Sequence, residues 1–386
     1  MRISFQFGFL LLALVGFCLP ASAIVVADYG VATNAPTGDW DLDWDYVYKY
    51  KNSSSVAIGS HWLLTAAHVG DDGALSTIVI DGVSYYQQQA IFHAAVDDPQ
   101  HASKADLALV RYDKALPGYY SLYTGSFPTQ PSKKLDAVMV GYGRVGTVYS
   151  TYYTEAVSGN GVKRWGTQKI DGTATADYDG GGTTGMTYND GMQMLFTLSN
   201  TTYEAGVGTY DSGGGTFVED GGVWKLAGIN TTRYSGTLGF TGTFAVSVPA
   251  YETWATQMID SVTGDADSDG IPNWWEEQFG TNILASIDQD GDGFIGEEEY
   301  FSDTDPTDST SFWQVEGTIT SADQTFTFEG STARQYQLFY TTNSLAVTNL
   351  IWTAHGSAIW GAGSNTTLVV TNTENMVFYR MQTILP

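Results

Sequence analysis

Short strand-like runs constrain the fold of this chain more than any other feature of its sequence. Clusters of Gly, Pro, Ser or Asp separate them, a pattern typical of antiparallel sheets with frequent turns. The runs are 76–86, 106–112, 136–142, 193–198, 223–234 and 242–248. Residues 249–259 have helical spacing instead, with Pro249 where a first helical turn tolerates proline. The sequence therefore predicts a mainly β domain that ends in a helix.

Composition and net charge limit the classes of function open to the chain. Its 386 residues are 43% hydrophobic and 14% aromatic, which is enough for packed cores in two or three domains. The formal net charge of −26 argues against nucleic acid and anionic membranes as partners. No segment after residue 23 is long and apolar enough for membrane insertion.

Residues 1–23 have the pattern of a secretory signal peptide. Arg2 precedes an apolar run over residues 7–19, and Ala21-Ser22-Ala23 is a small-x-small cleavage site. The single cysteine, Cys18, lies inside this segment, so the mature protein is expected to lack thiols and disulfides. The sequence thus predicts a secreted protein, extracellular or periplasmic, that is stabilised by core packing. Because exported animal proteins commonly rely on disulfides, the lack of cysteine also favours a bacterial source.

Ser212 is the candidate nucleophile. It lies in Thr-Tyr-Asp-Ser-Gly-Gly (209–214), where we expect a tight turn that exposes its hydroxyl. Such a hydroxyl needs an imidazole as base, a carboxylate that orients the imidazole, and N–H groups that face the developing oxyanion. His68 ends the run Trp-Leu-Leu-Thr-Ala-Ala-His, and Asp106 begins the strand-like run Asp-Leu-Ala-Leu-Val. These two residues supply the candidate base and its orienting acid.

The three motifs, in this order, resemble those of the trypsin/chymotrypsin-like serine proteases, and the resemblance covers residues 24–260. It implies a double six-stranded β-barrel with a C-terminal helix. It also implies a serine endopeptidase that hydrolyses a protein or peptide substrate and needs no cofactor for catalysis. Ser212 would attack, His68 would serve as base and then acid, and Asp106 would orient His68.

The same resemblance assigns further residues. The N–H groups of Tyr210 and Ser212 would form the oxyanion hole, although the family usually has glycine at the first of these positions. A free amino terminus at Ile24 would pair with Asp211; the alternative is that Ile24 only begins a first strand. The substrate pocket would contain Gly206, Thr231, Arg233 and Gly242. A neutral floor at Gly206 argues against strict cleavage after Lys or Arg.

An acidic segment follows the predicted helix. Fifteen Asp and Glu residues, and no Lys or Arg, lie between Asp260 and Asp308. They form two copies of a calcium-loop pattern, with carboxylates at loop positions 1, 3, 5 and 12, glycine at position 6 and a backbone carbonyl at position 7. The first copy is Asp265, Asp267, Asp269, Ile271 and Glu276, and the second is Asp288, Asp290, Asp292, Phe294 and Glu299. Two structural Ca²⁺ ions are therefore predicted; a solvated acidic linker is the alternative.

The duplicated loops resemble dockerin and thrombospondin type 3 modules, which suggests an EF-hand-like unit over residues 261–311. Residues 312–386 contain four alternating runs between Asn, Ser and Gly turns, which predicts a small β-sandwich. Such tails commonly bind surfaces or carbohydrate, an expectation that rests on fold-level analogy. The domains expected are thus 1–23, 24–260, 261–311 and 312–386. The rival interpretation is an inactive protease homologue that acts as a calcium-dependent adhesion or binding protein.

Overall fold

The structure is a computed structural model. It describes residues 24–27, 29–94, 104–129, 133–181, 184–280, 283–319, 323–342, 351–371 and 377–385. The predicted signal peptide, residues 1–23, lies outside the described residues. No helix in these ranges is long and apolar enough to cross a bilayer.

Six antiparallel strands form the first barrel. The chain enters it through β1 (Val25–Val26), helix α1 (Tyr29–Ala32) and a 3-10 turn (Gly38–Trp40). The barrel strands are β2 (Val47–Tyr50), β3 (Ser53–Gly59), β4 (Trp62–Thr65), β5 (Thr77–Ile80), β6 (Val83–Phe92) and β7 (Ala108–Tyr112), with helix α2 (Ala67–Gly70) after β4. Their order is β2-β3-β4-β7-β6-β5, and β2 lies against β5, which closes the sheet.

The remaining strands of residues 24–260 belong to a second barrel, except the short strand Ala205–Gly206, which pairs with β1. They are β8 (Leu135–Gly141), β9 (Gly146–Val148), β10 (Tyr153–Glu155), β11 (Arg164–Ile170), β12 (Gly172–Asp179), β13 (Met186–Leu195), β14 (Ala205–Gly206), β15 (Gly215–Asp220), β16 (Val223–Ser235) and β17 (Phe240–Ser247). Six of them form a ring in the order β11-β8-β15-β16-β17-β13, closed where β11 lies against β13. The double barrel is confirmed, but the second sheet has nine strands because β9, β10 and β12 extend it.

One buried apolar cluster spans both barrels. Val47 and Leu64 of the first barrel lie in the same buried cluster as Val138 and Phe244 of the second. Helix α3 (Val248–Thr263) adds the fully buried Trp254 to this cluster, and the Ser247 side chain caps the helix by accepting a hydrogen bond from Ala250 N. The predicted C-terminal helix is thus present and is packed against both barrels.

The acidic segment contains two short helices, α4 (Asn273–Gln278) and α5 (Gly296–Ser302). The Trp275 ring lies 4.9 Å from Phe279 and 5.5 Å from Tyr300, so an aromatic contact joins the helices. The module also touches the first barrel, because the Arg111 guanidinium lies 4.5 Å above the Trp274 ring.

Two three-stranded antiparallel sheets complete the chain. Their strands are β18 (Val315–Ile319), β19 (Asp323–Gly330), β20 (Gln335–Thr341), β21 (Thr353–Trp360), β22 (Ser364–Thr371) and β23 (Phe378–Ile384), in the orders β18-β19-β22 and β21-β20-β23. The sheets meet through Phe328 and Tyr336, whose ring centroids are 4.6 Å apart. Lys114 of the first barrel lies 5.4 Å from the Trp360 ring, so this unit also contacts the barrel.

Candidate active site

His68 and Asp106 lie next to each other at the edge of the first barrel. His68 is on α2 directly after β4, and Asp106 immediately precedes β7, the strand that pairs with β4. His68 Nδ1 is 2.7 Å from Asp106 Oδ2, and the His68 backbone N–H donates to Asp106 Oδ1 at 2.9 Å. Two contacts from one residue to a fully buried carboxylate fix the plane of the imidazole.

The pKa of His68 depends on this pair. Burial alone would lower it, but the hydrogen bond to Asp106 and the negative charges of Asp106 and Asp71 raise it above the ordinary value for histidine. The pKa of Asp106 is held below its usual range, because donors from His68 and Tyr178 outweigh the opposing effect of burial. Asp106 is therefore a carboxylate, and it favours a protonated imidazole.

Tyr178 and Asn189, on the hairpin β12–β13, complete the surroundings of Asp106. The Tyr178 hydroxyl donates to Asp106 Oδ2 at 2.8 Å, and Asn189 Oδ1 accepts from the Asp106 backbone N–H at 2.8 Å. The strand-like runs predicted from the sequence leave out residues 171–185. The alternation from Thr173 to Asp179 was the signal for a strand, but no local pattern places its tyrosine on Asp106.

Ser212 lies on a turn between β14 and β15. Gly213 follows it with φ +83°, and a Cβ there would meet the Ser54 carbonyl oxygen at 2.0 Å, so only glycine fits. Ser212 and His68 line the same cavity, of about 440 Å³. Among the described residues, the hydroxyl makes its hydrogen bond to the Thr231 carbonyl, at 3.4 Å, rather than to His68.

Tyr210 adopts the backbone conformation that glycine usually supplies at this position. Its φ is +77°, which strains a residue with a side chain by roughly 1–2 kcal/mol. The Thr209 carbonyl accepts from Arg144 N at 2.9 Å, so the Tyr210 N–H at the other side of that trans peptide points away from Arg144. In the described part of the chain, no protein acceptor binds the N–H groups of Tyr210 or Ser212.

Asp211 points in the opposite direction, into the second barrel, and is fully buried. Its carboxylate accepts from Gly143 N at 2.7 Å, Gly208 N at 2.8 Å and Ile24 N at 3.4 Å. The pairing of β1 with β14, in which Val25 faces Gly206, positions Ile24 there. Burial raises the pKa of Asp211 to about 7 despite these donors.

The four residues expected in the substrate pocket separate into two pairs. Thr231 and Arg233 line the cavity beside Ser212. Gly206 and Gly242 do not line it among the described residues; both lie against the Tyr153 side chain. The physical reason differs between the two glycines. Tyr153 of β10 fills the space that Gly206 leaves, whereas a side chain on Gly242 would meet the Met194 carbonyl and the Tyr234 ring.

The two acidic loops have matching geometry. In each, three aspartates place carboxylate oxygens within 4.8 Å of one another: Asp265, Asp267 and Asp269 in the first, and Asp288, Asp290 and Asp292 in the second. Gly270 and Gly293, at position 6, have φ of +99° and +103°. The position-12 residues Glu276 and Glu299 are 5% and 0% exposed.

Buried oxygen atoms in these loops lack protein partners. Within the described ranges, Glu276 Oε1, Asp290 Oδ2, Asp292 Oδ2 and Glu299 Oε2 are buried and accept no hydrogen bond. Buried carboxylate oxygens are costly unless a donor or a cation meets them. This donor set, with only oxygen ligands, fits a hard cation such as Ca²⁺.

Comparison with known proteins addresses the family. The family model named Trypsin matches residues 32–255. No protein with a curated description matches the chain in sequence.

Solved structures similar to this chain include three bacterial proteins. The active form of the Rv3671c protease from M. tuberculosis is 15% identical over 53% of this chain and 72% of that one, with a TM-score of 0.35. The passenger domain of Plasmid encoded toxin, an autotransporter enterotoxin from enteroaggregative Escherichia coli, is 16% identical over 54% and 21%, with a TM-score of 0.37. The Haemophilus influenzae Hap adhesin is 12% identical over 58% and 23%, with a TM-score of 0.38.

A double barrel of this topology and a family match that spans more than half of the residues lead to one assignment: this chain belongs to the trypsin family.

Proposed function

We propose that this protein is a secreted serine endopeptidase in which Ser212, His68 and Asp106 form the catalytic triad. The observation that carries the proposal is the pairing of His68 Nδ1 with the buried Asp106 carboxylate at 2.7 Å, on a cavity that Ser212 also lines. Burial and orientation of this kind are what a general base next to a hydroxyl nucleophile requires. Secretion is proposed from the sequence of residues 1–23 alone.

The proposed reaction has two steps. Ser212 Oγ attacks the carbonyl carbon of the scissile bond while His68 Nε2 takes the hydroxyl proton, and the N–H groups of Tyr210 and Ser212 bind the oxyanion. His68 then gives the proton to the amine that leaves as the C–N bond breaks. In the second step His68 deprotonates a water molecule that attacks the acyl ester. The bond between the acyl carbon and Ser212 Oγ then breaks, His68 returns the proton to Oγ, and the carboxylic acid product leaves.

The free amino terminus that would follow Ala23 is proposed to stabilise the active conformation. Ile24 N already lies 3.4 Å from Asp211 Oδ1, in a fully buried position. An ammonium group there would pair with the carboxylate and hold the turn from 208 to 212, on which the oxyanion donors lie. Signal-peptide removal and activation would then be one event.

The acidic module is proposed to bind two Ca²⁺ ions in a structural role. Three aspartates and one buried glutamate in each loop, with the carbonyls of Ile271 and Phe294, would hold them. Bound Ca²⁺ would supply the positive charge that the partnerless buried oxygens require. The ions stand apart from the proposed catalytic step.

The first test is covalent labelling. A fluorophosphonate should modify the processed protein stoichiometrically at Ser212, because the label reacts only with an activated serine. His68→Ala and Ser212→Ala should abolish labelling, while His355→Ala, in the C-terminal unit, should label normally. Mass spectrometry identifies the site. A correctly processed protein that does not label would instead support the inactive binding protein.

A second prediction concerns Tyr178, proposed as a positioning residue. Its hydroxyl neutralises part of the Asp106 charge that stabilises protonated His68. Tyr178→Phe should therefore raise the pKa of His68 further and move the acid limb of the kcat/KM profile to higher pH. Tyr188→Phe, on the same hairpin but 49% exposed, is the matched control. An unshifted profile in Tyr178→Phe would assign the residue a merely structural role.

A third prediction tests the amino terminus. Ile24→Gly should lower kcat by roughly 10²–10³, the typical cost of one oxyanion donor, because it weakens insertion beside Asp211. Ala27→Gly, at an exposed position, should keep full activity. Sequencing of the mature amino terminus must show the same cleavage site in the wild type and in both variants. Undiminished turnover in Ile24→Gly would contradict the activation role of the amino terminus and would mean that Ile24 only begins the first strand.

The fourth prediction concerns calcium. Calorimetric titration should show two Ca²⁺ per chain, one in Glu299→Gln, and two in the exposed control Glu297→Gln. Chelation should lower the melting temperature of the region beyond residue 260, since a ligand that binds only the folded state stabilises it. Activity on a small substrate should persist. If the titration shows no bound Ca²⁺, the calcium proposal is wrong and the segment is a solvated acidic linker.

A further inference from the structure

Tyr153 occupies the space that Gly206 leaves beside the proposed active site. A Cβ on Gly206 would lie 2.2 Å from Cε1 of the Tyr153 ring, so the ring stands where a side chain from that position would project. The Tyr153 hydroxyl donates to the Val207 carbonyl at 3.0 Å and lies 3.5 Å from the Gly242 carbonyl. The side chain thus fills the floor of the pocket expected beside Ser212.

The ring is held firmly in this position. Phe196 and Phe240 pack against it with centroids at 5.1 Å and 5.6 Å, and Tyr153 itself is fully buried. Its backbone pairs with Val148 on one side and Phe240 on the other. Outward rotation of the Tyr153 side chain would expose a large apolar surface and break the hydrogen bond of its hydroxyl. The ring therefore stays at the floor of the expected pocket.

An ion pair between Arg233 and Glu155 lies at the side of the cavity, where Arg233 is a lining residue. Arg233 donates to both Glu155 oxygens, at 2.8 Å and 3.0 Å, and Nη2 lies 3.4 Å from Thr209 Oγ1. Glu155 also accepts from Thr209 N at 2.8 Å. The segments 207–210 and 231–233, the two walls of the cavity, are therefore tied together. Because Arg233 and Glu155 satisfy each other, this bridge favours neither an acidic nor a basic substrate side chain.

We propose that Tyr153 and the Arg233–Glu155 bridge truncate the primary specificity pocket, so that the enzyme cleaves after small uncharged residues such as Ala, Ser or Gly. This inference rests on the proposed peptidase function. Tyr153 is a specificity-determining residue: it blocks the depth into which an aromatic or long side chain would extend. The floor residue Gly206 does not create a deep pocket, because a residue 53 positions earlier in the chain fills it.

The test compares substrates that differ only in the residue before the cleaved bond. The mature enzyme receives four otherwise identical peptides with Ala, Phe, Lys or Glu there, and kcat/KM is measured for each. We expect Ala to exceed the other three by roughly tenfold or more, the discrimination that a few misfitting methylene groups cause. Tyr153→Ala should raise the Phe/Ala ratio by roughly 10- to 100-fold.

Two controls separate the pocket from general damage. Tyr153→Phe keeps the ring and should keep the preference for Ala, and Tyr149→Ala, an exposed tyrosine before β10, should leave the whole profile unchanged. If Tyr153→Ala does not fold, the wild-type profile alone decides. A wild-type preference for Phe, Lys or Glu, or an unchanged ratio in folded Tyr153→Ala, overturns the inference. Fluorophosphonate labelling separates these results from failure of the peptidase proposal, which would abolish labelling itself.

Discussion

A carboxylate without contact with water, that of Asp106, sets the main constraint on this structure. A buried charge is tolerated only where donors surround it, and here they come from both barrels: His68 follows β4, while Tyr178 belongs to β12. Asn189, on β13, accepts a hydrogen bond from the backbone N–H of Asp106. The second barrel therefore does more than present a serine. Its hairpin β12–β13 contacts the carboxylate that pairs with His68, the proposed base, so the two barrels must dock before Asp106 has all of these partners.

The same principle operates on the other side of Ser212. Asp211 is as deeply buried as Asp106, but its partners are backbone N–H groups from Gly143, Gly208 and Ile24. Neutral donors compensate a buried carboxylate less well than a charged partner, which is why burial still raises the pKa of Asp211 to about 7. The contrast identifies Asp211 as the carboxylate that would gain from an ammonium group.

Sequence reasoning succeeded where a feature is local. Strand runs and the C-terminal helix follow from periodicity, and the order of three short motifs led to the correct family. The residues Tyr153 and Tyr178 were missed for one physical reason: each acts through contacts with residues far away in the chain, such as Tyr178 with Asp106, 72 residues earlier. An isolated tyrosine in a strand has no pattern that indicates its partner. Gly206 was assigned to an open pocket for the same reason, since its occupant lies on another strand.

Lys114 lies where the first barrel contacts the C-terminal unit. Its ammonium group is 2% exposed, pairs with Asp113 at 2.6 Å and lies among the rings of Tyr85, Tyr86 and Trp360. Asp113, Tyr85 and Tyr86 belong to the first barrel, whereas Trp360 belongs to the C-terminal unit. A cation enclosed in this way links the C-terminal unit to the first barrel, because separation of the two would leave the buried Lys114–Asp113 pair without the cover of the Trp360 ring.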